Sequence, residues 1–92
     1  MFKSVVAAAS LTMLFAASAQ ADAAAGDACA ANLTADGKAI YAATMAAKPT
    51  AQTQRDILEK ETRGLAMGNK IARGSARDNA IAAEGCVKAA LR

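Results

Sequence analysis

SARDNAIAAEGCVKAALR, residues 75–92, closes the chain and decides how the rest is read. Stepped at 100° per residue, Ala76, Ala80, Ala83, Val87, Ala90 and Leu91 fall on one stripe, with Cys86 at its edge. Arg77, Glu84 and Lys88 gather on the opposite side, and Ile81 falls among those charges. Ser75-Ala76-Arg77-Asp78 has the form of a capping box with Asp in its last position, so a helix is expected to begin there. Cys86 is then placed to reach another helix packed against this one.

The only other cysteine is Cys29, in GDACAANL at residues 26–33. An even cysteine count in a small exported chain reads as a disulfide, and two cysteines allow one pairing within the chain. Closing the loop from Cys29 to Cys86 should stabilise the fold by about 4 kcal/mol in the chain-entropy model. There is no C-x-x-C motif, and no histidine stands beside either thiol to activate it. The pair is therefore expected to be a structural staple.

Export is read from the first residues. Lys3 supplies a basic head, and Val5 to Ala17 form a largely apolar run of thirteen residues. Ala19-Gln20-Ala21 then places small side chains at the −3 and −1 positions of a cleavage site. This is the pattern of a secretory signal peptide over residues 1–21, with cleavage after Ala21 preferred and after Ala19 the alternative. A spanning helix needs about 20 apolar residues, more than this run supplies. Gly26-Asp27-Ala28 before Cys29 is no lipobox, so no lipid anchor is expected.

The mature part, 22–92, is a single domain, and losing Lys3 from 11 basic residues leaves 10 against 8 acidic ones. A net charge of +2 is far below that of a nucleic-acid binder, so none is expected as a partner. After cleavage the large apolar side chains are Leu33, Ile40, Tyr41, Met45, Ile57, Leu58, Leu65, Met67, Ile71, Ile81, Val87 and Leu91. Chains of this size draw only about 3–5 kcal/mol from one core, which gives the staple its importance.

No stretch alternates as a strand would, and the fold class expected is all-α: a small three- or four-helix bundle stapled by one long-range disulfide. Residues 22–26 read as a flexible entry, and a short helix from an Asp27 cap to Asn32 follows. Thr34 caps the next helix, whose first turn carries Asp36 at the positive end of the dipole. Ile40, Tyr41, Thr44 and Ala47 form its inner face with Met45 beside them, and Pro49 stops it.

Thr53-Gln54-Arg55-Asp56 resembles a further capping box, and Ile57, Leu58, Leu65 and Ala66 give the helix it opens an apolar side. Asp56–Lys60 and Glu59–Arg63 are expected i,i+4 ion pairs. Gly64 and Gly68 form a G-x-x-x-G, read as the place where an alanine-rich neighbour comes close. Gly68-Asn69 can also end this helix, since both residues tolerate a left-handed backbone.

Histidine is absent, which removes serine–histidine and cysteine–histidine catalysis and the common histidine metal sites. Ser75 is the only mature serine and is accounted for as a cap. No phosphate-binding glycine loop or calcium loop occurs. Asp56, Glu59 and Glu61 are surface carboxylates with no aromatic pocket around them. The chain is expected to be no enzyme and to carry no cofactor and no metal.

One constellation stands out. From Thr62 to Arg77 the chain holds Arg63, Lys70, Arg73 and Arg77 with no acidic residue. Positions 63, 70 and 77 are seven apart, so on a continuous helix they would share a face for an anionic surface or partner, with Ile81 adjacent. Gly68, Gly74 and Ser75 argue that the segment is broken, in which case the charges form a solvated face.

In general build (small, exported, helical, one long-range disulfide) the chain is similar to the periplasmic acid-stress chaperones of the HdeA kind, with no shared motif and no residue carried across. The leading expectation is a periplasmic or secreted accessory factor that binds a protein or an anionic component of the cell envelope. A stress chaperone that exposes its thin core is the alternative. A cationic membrane-active protein acting through the amphipathic last helix is the second alternative. No stable membrane span is expected after cleavage.

Overall fold

The structure, a computed structural model, describes residues 22–92, and the signal-peptide reading of residues 1–21 lies outside them. Four helices and no strand occur among the described residues: α1 over 22–30, α2 Ala35–Ala46, α3 Gln54–Met67 and α4 Ala76–Ala90. Each of α2, α3 and α4 packs on the other two. The fold is the expected all-α bundle, in its four-helix form.

The core is made of Ile40, Tyr41, Leu58, Ile71, Ala83, Cys86 and Val87 with Ala30 from α1. Ala76, Ala80 and Leu91 pack at its margin, so the apolar stripe of α4 faces inward along its length. Thr44 is fully buried, and its hydroxyl donates to the Ile40 carbonyl at 2.8 Å, which satisfies it. Ile81 is 61% exposed, as its place among the charges of α4 predicts, whereas Met67, counted with the large apolar side chains, also lies outside the core at 68% exposed.

Cys29 and Cys86 form the disulfide, with Cα atoms 5.3 Å apart, and it ties α1 to α4. The helix α1 differs from its expected form. Residues 22–26 are helical, and Asp27 is inside the helix instead of capping it. Gly26 explains the packing. A Cβ there would stand 2.6 Å from the Tyr41 hydroxyl and closer still to the Ala90 methyl, so α1 presses against α2 and α4 at a point where only glycine fits.

The start of α2 is as expected: Thr34 Oγ1 accepts from the Gly37 N–H at 3.0 Å. The same hydroxyl donates to Asn79 Oδ1 of α4 at 2.7 Å. Ala47 is exposed, because the helix ends at Ala46 and Lys48 turns to φ 55°. Pro49 follows with no N–H to extend the ladder.

Two capping boxes are not where the pattern placed them. Thr53 makes no cap bond to the first turn of α3. Its hydroxyl instead accepts from the Thr50 N–H at 2.9 Å, while Thr50 Oγ1 accepts from the Thr53 N–H at 3.2 Å. The reciprocal box is thus Thr50-Ala51-Gln52-Thr53, one turn earlier, and Gln54 N–H already bonds to the Thr50 carbonyl at 2.9 Å. Ser75 likewise makes no cap bond, and its Oγ accepts from Asn79 Nδ2 at 3.3 Å.

The expected ion pairs are also rearranged. Among the described residues the salt bridge within 4.0 Å is Arg55–Glu59 at 3.8 Å, an exposed contact of little energetic weight. Neither Asp56–Lys60 nor Glu59–Arg63 closes. Gly64 has nothing within 4 Å of where a Cβ would sit, and Gly68 meets its own helix carbonyls, so no neighbouring helix uses the G-x-x-x-G.

Candidate functional site

The five candidate surface residues do not share a continuous helix. Gly68 caps α3, Asn69 takes a left-handed φ of 58°, and two backbone bonds seal the end. Asn69 N–H reaches the Ala66 carbonyl at 3.2 Å and Lys70 N–H reaches the Leu65 carbonyl at 2.9 Å. This is a Schellman ending, with asparagine where glycine is usual. The linker 68–75 is then pinned to the bundle by buried Ile71 and by the Ala72 N–H, which donates to Asp36 Oδ2 at 3.0 Å.

That break divides the basic residues into two places. Arg63 and Lys70 open onto one cleft of about 450 Å³ at the C-terminal end of α3, together with Lys60, Glu61, Leu65 and Met67. Three cations stand there against one carboxylate, and Met67 offers a mobile, polarizable apolar side chain beside them. Among the described residues, no carboxylate lies within 4.0 Å of Lys60, Arg63 or Lys70. The carbonyls that end α3 also present the negative pole of its dipole, which favours cations nearby. Arg73 answers one of them directly, its Nε donating to the Ala66 carbonyl at 3.2 Å.

Arg77 and Ile81 belong elsewhere. They line a smaller groove of about 240 Å³ between α3 and α4, with Arg55, Leu58, Glu59, Ala80 and Glu84. Its two arginines and two glutamates cancel, so it has no net preference for an anion. The sequence reading missed Lys60 and Met67 as members of the first place and Arg55 and Glu84 as members of the second. The i,i+3 spacing of Lys60 and Arg63, continued by Met67, was the available signal.

A third polar feature joins α1 to α2. Tyr41 is nearly buried, and its hydroxyl donates to Asp27 Oδ1 at 3.0 Å. Burial, the hydrogen bond and the repulsion of the neighbouring carboxylate push the phenol from 10.0 up to about 12. Gly26 seats against the Tyr41 hydroxyl and Asp27 lies two residues before Cys29, so this bond and the disulfide both hold α1 to the bundle.

Among the described residues no three Cys, Asp or Glu side chains gather as a metal site requires. No helix among them is long and apolar enough to cross a membrane. No known protein family, curated protein or solved structure matches the chain.

Proposed function

We propose that the chain is a small exported accessory protein of the cell envelope that acts without catalysis, by binding an anionic partner at the C-terminal end of α3. The observation that carries this reading is the convergence of Lys60, Arg63 and Lys70 on one cleft beside exposed Met67. Exposed cations around an apolar contact suit an acidic segment of another protein, whose carboxylates pair with the cations while an apolar side chain meets Met67. The disulfide supports placement in an oxidising compartment such as the periplasm.

Docking is favoured over membrane activity because the apolar stripe of α4 is occupied by the core. A membrane-active helix needs that face free to enter the headgroup region. The test is capture of partners from an envelope extract by the disulfide-bonded mature chain. Arg63→Glu with Lys70→Glu should abolish capture of the specific partner, and added salt should weaken it for the wild type. Arg77→Glu, on the other groove, should leave capture unchanged. Equal capture by the wild type and the Arg63/Lys70 variant would remove this reading.

A further inference from the structure

The groove between α3 and α4 calls for a different occupant from the cationic cleft. Arg55 and Glu59 of α3 face Arg77, Ala80, Ile81 and Glu84 of α4 across about 240 Å³. A surface with two cations and two carboxylates favours neither an acidic nor a basic partner. What complements alternating signs is the same pattern reversed, and a two-fold axis performs that reversal: residue i meets j while j meets i. We propose that this groove is a self-association surface, through which α4 packs antiparallel against α4 of a second copy.

The helix α4 carries the symmetry in its numbering. Arg77 and Glu84 stand one on each side of the Ala80-Ile81 step, three residues from it in either direction. With the axis at that step, Arg77 of one copy faces Glu84 of the other and the reverse, while each Ile81 enters the groove of the other copy beside half-buried Ala80. Within one chain Arg77 and Glu84 are seven residues apart, roughly 10 Å along the helix, and they form no ion pair there. Ile81, 61% exposed, supplies the apolar centre that the charges surround.

Seven residues line the groove, against roughly 20–30 on each side of a standard stable interface, so the dimer is weak and forms as concentration rises. The surface is separate from the cleft at Lys60, Arg63 and Lys70, and either can fail without the other.

Sedimentation equilibrium of the disulfide-bonded mature chain, over a wide concentration range at low salt, tests the proposal. The wild type should shift from monomer to dimer. Arg77→Glu and Glu84→Arg each set like charges face to face and should weaken association by at least roughly tenfold. The double reversal, Arg77→Glu with Glu84→Arg, restores both cross-pairs and should return association to the wild-type level. Circular dichroism on each variant separates lost association from lost folding, and Ile81→Ala provides a charge-neutral variant that should also weaken the dimer. A chain that stays monomeric at the highest concentration, or a double reversal as weak as the single ones, overturns the proposal.

Discussion

The Tyr41 hydroxyl and the Asp27 carboxylate, 14 positions apart in the chain, meet at 3.0 Å and join α1 to α2 where the tyrosine ring enters the core. The contact makes stability depend on alkaline pH. The phenol titrates near 12 in the folded chain and at 10.0 when unfolded, so folding favours its protonated form. That contribution is complete below pH 10 and is lost as pH rises from 10 toward 12. The melting temperature of the wild type should therefore fall across that window, and that of Tyr41→Phe should fall less. Parallel curves would assign the decline to other groups. At neutral pH, Tyr41→Phe should cost about 1 kcal/mol through the lost hydrogen bond, measured by urea denaturation.

Two glycines should respond to the same substitution with opposite signs. Gly26 is buried where Tyr41 and Ala90 leave no space for a methyl, so Gly26→Ala forces α1 away from the bundle. Overpacking of this kind costs about 1–3 kcal/mol. Gly85 lies inside α4 with nothing within 4 Å of a prospective Cβ and no positive φ. Gly85→Ala should stabilise by about 0.5–1 kcal/mol through better helix propensity. Denaturation midpoints of the two variants on either side of the wild type would establish the close approach at Gly26.

Those glycines also mark what the sequence could and could not reveal. The helical class, the α4 stripe and the Cys29–Cys86 link were legible because periodicity and a two-cysteine count allow few alternatives. The start of α1 was not, because Gly26 and Asp27 look like a breaker and a cap until Ala90 and Tyr41 are in place. The basic surface was half legible. Its residues are evident, but their grouping turns on whether 68–75 is helix, and the Schellman ending at Asn69 resolves that through backbone bonds that no composition displays. The helical angle alone places Ile81 outside the stripe, whereas Met67 is apolar like the core residues by type and yet exposed by its place at the last turn of α3.

The disulfide should matter more than any single core contact. Cys86 is 1% exposed, and its bond holds α1 over a core with one aromatic ring. Cys86→Ser should lower stability by about 4 kcal/mol, a large part of what a domain of this size possesses. Thermal unfolding of the wild type with and without a strong thiol reductant should reproduce the difference between wild type and variant. A reduced wild type that melts like the oxidised one would show that packing alone retains α1.

The helix starts give the sharpest separation between pattern and structure, because three similar motifs differ in what their hydroxyls touch. Thr34 satisfies the Gly37 N–H and reaches Asn79, so Thr34→Ala should cost about 1 kcal/mol or somewhat more. Thr50 satisfies the Thr53 N–H ahead of α3, and Thr50→Ala should cost about 1 kcal/mol. Ser75 satisfies no first-turn N–H, since its oxygen receives only the Asn79 amide. Ser75→Ala should therefore cost less than either threonine variant, within about 0.5 kcal/mol of the wild type. Urea midpoints for the three single variants, compared at equal m-value, decide the order. If Ser75→Ala were the most damaging, the box at Ser75-Ala76-Arg77-Asp78 would cap α4 in solution after all, and Asn79 would have to release the hydroxyl it holds.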